Sequence, residues 1–160
     1  MRFSSVSLAT FSLSLSLVGF GAAPTHSQTQ SATQAQAERV IKSMTRGQAI
    51  LYARRGRLTN DVAALRSAFR IPFPSGYNLA IRTSSRAAYH YAIADRKPFK
   101  SVVGATFIED GSTPQAPRLV TIVCRLDEPG RIRPADPTYR PDNISCGNFS
   151  TLIGGPDPYP

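Results

Sequence analysis

The chain has 160 residues, one domain's worth, and enough to bury a real hydrophobic core. Hydrophobic residues make up 41% of it, too many for a disordered chain. Two Cys and two His, the latter far apart at His26 and His90, exclude the usual Cys-based zinc clusters and a His-rich metal site. The net charge of +9 is unevenly placed: residues 31–100 hold thirteen Lys or Arg against three acids, residues 101–160 five against seven. A cationic half of this kind attracts polyanions such as nucleic acid, anionic polysaccharide or acidic lipid headgroups. The bland alternative is a solvated surface that keeps the protein soluble.

Residues 1–27 read as a signal peptide. Arg2 is its positive start, Val6 to Phe20 its apolar segment, and Gly21, Ala22 and Ala23 its small residues. Pro24 makes cleavage after Ala23 awkward, so cleavage is expected after Gly21, Ala22 or Ser27. An uncleaved anchor is the alternative. The chain is then expected to be exported, to the periplasm or beyond. In an oxidising compartment Cys124 and Cys146 are expected to pair, with free buried thiols as the alternative. Closing a loop of 22 residues stabilises by roughly 3 kcal/mol on the chain-entropy model.

Residues 28–36, rich in Gln, Thr and Ala, read as a polar linker or a frayed helix start. The globular domain is placed at residues 37–152, with a tail at 153–160. From Ala37 to Arg55 the pattern is helical: Ala37, Val40, Ile41, Met44, Leu51 and Tyr52 share one side, and Arg39, Lys42 and Arg46 the other. Gln48 and Ile50 each break this division. Gly56 is expected to stop the helix, with Arg54 and Arg55 in its last turn. Thr59-Asn60-Asp61 is a capping cluster for a short second helix carrying Val62, Leu65 and Phe69, which Pro72 and Pro74 end.

Four alternating runs follow: Tyr77 to Ile81, Tyr89 to Ile93, Val103 to Phe107, and Val120 to Leu126. Turn signals separate them at Lys97-Pro98, Asp110-Gly111 and Pro129-Gly130. The expected fold is α+β, with an amphipathic helix and a short second helix packed on an antiparallel sheet of about four strands. From Pro129 to Pro160 the chain reads as a Pro-rich loop pinned by Cys146.

No catalytic motif is present, no metal site is expected, and no cofactor is implied. His90 stands between two Tyr with no nucleophile or orienting acid in sight, which makes it a structural or surface histidine. Asp95, Glu109, Asp110, Asp127 and Glu128 fall at strand ends or turns, where carboxylates are usually solvated. Tyr77, Tyr89 and Tyr91 with Arg82 and Arg86 would suit a platform for single-stranded nucleic acid; core packing is the simpler reading. The candidate polyanion-binding residues are Arg39, Lys42, Arg46, Arg54, Arg55, Arg57, Arg66 and Arg70. These eight cations in 32 residues face only Glu38 and Asp61.

The run Met44-Thr45-Arg46-Gly47-Gln48-Ala49-Ile50-Leu51-Tyr52, followed by Gly56-Arg57-Leu58-Thr59, resembles the helix end of pilins. The strand pair Tyr89 to Ile93 and Ser101 to Phe107 resembles their sheet. Thr121-Ile122-Val123-Cys124, then Pro129-Gly130, then Cys146-Gly147, resembles their two-cysteine ending. Over roughly residues 37–152 the chain resembles cyanobacterial type IV pilin-like proteins, the group related to the G and H pseudopilins of general secretion. It departs from a prepilin after Gly19-Phe20: Pro24 follows, the next acid is Glu38, and residues 21–36 are polar or small, so the long apolar pilin helix is missing. The resemblance implies an exported, non-enzymatic pilin-like domain that binds a pilus or secretion component. The alternatives are a secreted polyanion-binding protein, a secreted enzyme with a dispersed site, and a pilus subunit with an aberrant leader.

Overall fold

In a computed structural model, residues 26–113 and 115–159 are described; residues 1–25 of the expected leader lie outside them. Helix α1, His26–Arg55, is 30 residues long. Gly56 closes it with φ 66° and an N–H donated to the Tyr52 carbonyl at 2.7 Å, the conformation for which glycine is suited. Helix α2, Val62–Phe69, starts at Asp61, whose Oδ1 accepts the Ala64 N–H at 2.9 Å. It ends at Arg70 in the left-handed conformation, before Pro72 is reached.

Five antiparallel strands form the main sheet: β1 (Tyr77–Thr83), β2 (Ala87–Ala94), β3 (Lys100–Ile108), β4 (Leu119–Pro129) and β7 (Ser150–Tyr159), in the order β1-β2-β3-β4-β7. The short strands β5 (Thr138–Arg140) and β6 (Asn143–Ser145) make a separate two-stranded ribbon. The fold is thus α+β as expected, with both helices packed on the sheet.

Beneath α1 the central strands carry mainly small residues. Ala92, Ala94 and Val102 join Ala37, Val40, Ile41 and Met44 in one core cluster. Gly104 lets α1 approach: a Cβ there would lie 2.5 Å from Thr45 Cγ2 and 2.6 Å from Ile41 Cγ2. The opposite side carries the large residues, with Tyr91, Val103, Phe107, Ile122 and Cys124 in a second cluster. The segment 131–148 covers it, packing Tyr139, Ile144 and Cys146 against these side chains. Strand β3 is therefore buried on both faces over Ser101–Phe107, not half-buried as period-2 alternation alone suggests.

Two local expectations change. Residues 28–36 are helix, not linker, as part of α1. Ala and Gln are good helix formers, and the Gln34 amide ties this turn to the sheet. Its Oε1 accepts the Lys100 N–H and the Tyr77 hydroxyl, each at 2.9 Å, and its Nε2 donates to the Lys100 carbonyl at 3.2 Å. The expected loop from Pro129 and the expected tail 153–160 also need correcting, because β7 is the fifth strand of the sheet. Two Gly and two Pro hide any alternation there. Edge strands tolerate Pro because one row of their N–H groups has no ladder partner to lose, and register shifts beside Val123 absorb the irregularity.

Candidate functional site

Helix α1 turns Arg39, Lys42 and Arg46 to solvent, because the residues between them, Val40, Ile41, Met44 and Thr45, are buried against the rest of the fold. Arg54, Arg55 and Arg57 are exposed around the helix end, and Arg70 at the end of α2. Arg66 is different. It is half-buried, donates Nε to the Ile71 carbonyl at 3.2 Å, and stacks its guanidinium 4.8 Å from the centre of the Phe73 ring.

Among the described residues, none of these eight cations forms an ion pair. The four ion pairs that do form are Arg82–Asp136, Arg86–Asp110, Arg118–Glu109 and Arg125–Glu38. Glu38, the only acid on α1, is thus turned to Arg125 of β4, 3.1 Å away. The exposed side of α1 is left with cations alone. Beside them a groove of about 540 Å³ runs between α1 and the turn after α2, walled by Gln36, Arg39, Val40, Ser43 and Pro72.

The tyrosines do not form the platform weighed above. Tyr77 packs in the helix-side cluster and Tyr91 in the opposite one. The Arg82 guanidinium covers the Tyr89 ring at 4.4 Å and pairs with Asp136; Arg133 covers Tyr91 at the same distance and donates to its hydroxyl at 3.0 Å. The Tyr91 hydroxyl donates to Asp136. Burial, followed by the Asp136 hydrogen bond, raises the Tyr91 pKa. These contacts lash segment 131–148 to the sheet. A second groove, of about 470 Å³, lies at this cover between Tyr89, Phe107 and Tyr139. Its charged groups are all paired, Arg86 with Asp110 and Asp136 with Arg82.

His90 is fully buried on the helix side of β2, paired across the ladder with Gly104 and Ile81. Burial pushes its pKa down to about 3, so it is neutral at ordinary pH. Among the described residues, no group comes within good hydrogen-bond geometry of either ring nitrogen or of either polar atom of the buried Gln48 amide, the Gly104 backbone being the nearest partner of His90. Fully buried on the helix-facing side of β2, His90 is part of the core. No group of three or more His, Cys, Asp or Glu suited to a metal occurs among the described residues. Cys124 of β4 is bonded to Cys146, just past β6, with their Cα atoms 5.8 Å apart.

The described residues thus form helices laid on an antiparallel sheet, with a C-terminal disulfide and a cationic outer helix face. Residues 34–147 match the family model described as type IV pilin-like G and H, and the chain belongs to that family. Comparison with curated proteins and with solved structures found no match.

Proposed function

We propose that this protein is an exported, non-enzymatic accessory component of a type IV pilus or secretion machine, acting by binding. Family membership supports the setting, and the sequence resemblance points to its cyanobacterial members. The Cys124–Cys146 bond suits an oxidising compartment. No helix among the described residues is long and apolar enough to cross a membrane. The observation that carries the reading is the outer side of α1: Arg39, Lys42 and Arg46 are exposed and form no ion pair among the described residues, ready for an acidic surface on a partner. Crosslinking in the native envelope followed by affinity capture should recover pilus or secretion subunits. Charge reversal at these three positions should lose them. Recovery unchanged by the reversal would place the contact elsewhere, and no such subunits at all would overturn the reading.

Export by a cleaved leader belongs to the same proposal. Intact-mass measurement on protein from the native host should find a start between Ala22 and Gln28. A chain starting at Phe20 with a methylated amine would instead mark a processed prepilin.

A second reading rests on the number of cations without an ion pair. The face formed by Arg39, Lys42, Arg46, Arg54, Arg55, Arg57, Arg66 and Arg70 binds a polyanion, DNA or an acidic polysaccharide, without sequence preference. Such binding should weaken steeply with salt, because each neutralised phosphate releases a counterion. Changing Arg54, Arg55 and Arg57 together to Glu should abolish it with the fold intact. Binding that survives both high salt and the triple change would sink this reading.

A further inference from the structure

Phe73 has no role in the core. It is 54% exposed, one of four exposed large apolar side chains among the described residues. It lies between Pro72 and Pro74 in the turn after α2, and Arg66 caps its ring at 4.8 Å while being held by the Ile71 carbonyl. Pro72, its neighbour, forms a wall of the groove whose other wall carries Arg39, Ser43 and Gln36. Arg70 stands three residues before it, exposed and forming no ion pair among the described residues. An exposed aromatic ring with a guanidinium fixed on it thus follows directly on Pro72 of the groove wall, with Arg39 on the groove's other wall and Arg70 three residues before the ring.

We propose that this surface is a binding site for single-stranded nucleic acid, with a base stacking on the Phe73–Arg66 pair and the backbone running along the groove past Arg39. The inference rests on the polyanion reading above and narrows it. Duplex DNA presents its phosphates but keeps its base faces stacked inside, so it gains from the cations and nothing from Phe73. A single strand gains from both, since every base has a π-face and stacking on an exposed aromatic is tolerant of sequence. The guanidinium adds a planar surface of its own. Charge complementarity selects an anionic occupant, and the open ring selects one with exposed planar groups.

The test is fluorescence anisotropy with the mature protein, comparing a single-stranded oligothymidylate, the matching duplex and a polygalacturonate competitor. The single strand should bind more tightly than the duplex. Phe73→Ala should weaken single-strand binding by about 5- to 150-fold and leave duplex binding unchanged, while Phe73→Tyr should keep the preference. Phe73 is largely exposed, so neither variant should disturb folding, and circular dichroism checks this. Equal binding of strand and duplex, insensitive to Phe73→Ala, would overturn the stacking site and leave the polyanion reading standing. Binding of polygalacturonate but neither nucleic acid would also overturn it, assigning the face to polysaccharide. Binding of none of the three would overturn the polyanion reading and the stacking site with it.

Discussion

Gly104 of β3 lies directly under Thr45 of α1, so close that a Cβ on the glycine would come within 2.5 Å of the threonine Cγ2. The Thr106 hydroxyl, two residues along the same strand, donates to the Thr45 carbonyl at 3.0 Å and holds the helix at that distance. Thr45 and Ile41, the two side chains in the way, are β-branched and stiff at χ1, so neither can swing aside cheaply. Gly104→Ala should therefore lower stability by about 1–3 kcal/mol, the usual cost of overpacking a filled core. Urea unfolding measures this; an unchanged midpoint would mean that α1 lifts without cost.

Reduction of the Cys124–Cys146 bond should cost roughly 3 kcal/mol for its 22-residue separation. The damage should be local, because β7 follows Cys146 and remains paired with β4. Under limited trypsin digestion, the reduced protein should be cut first after the exposed Arg131 in the cover, since Arg133 and Arg140 each precede a proline that blocks cleavage. First cuts in α1 would show that the bond supports the whole domain instead.

His90 makes stability depend on pH. The unfolded chain takes up a proton on this residue near pH 6.5, the folded protein only near pH 3. Its contribution is complete above pH 6.5 and declines as pH falls through that window, by about 1.4 kcal/mol per unit. Unfolding free energies at neutral pH and in the acid window, for the wild type and His90→Leu, give the slope due to this residue. If the two slopes agree, the imidazole is accessible to protons in the folded state.

Phe149 occupies φ 58° with 80% of its surface exposed. The left-handed region costs a residue with a Cβ roughly 1–2 kcal/mol, and little packing offsets it here. Phe149→Gly should be neutral or stabilising by up to about 1 kcal/mol, read as a rise in Tm. A marked fall would reveal a packing role for the ring.

Helix α1 from Ala37 onward, the cap at Asp61, the stop at Gly56 and strands β1 to β4 were legible because each is specified by neighbours in the chain. Apolar residues recur at the helical or strand period, and capping and turn residues act within a few positions. The exposure of Arg39, Lys42 and Arg46 followed from the same wheel. Strand β7 was not legible: Gly154, Gly155, Pro156 and Pro158 carry no strand signal, and β4 supplies the pairing partner from 24 or more residues away. The helical state of residues 28–36 depends on Gln34 meeting Lys100, 66 positions on. Likewise the tyrosines divided between opposite faces of the sheet, and Arg82 and Arg86 found acids, through contacts between distant segments. Phe73 could be placed beside the basic groove only once α2 had folded back along α1, since what a surface side chain stands next to depends on packing, not on its neighbours in sequence.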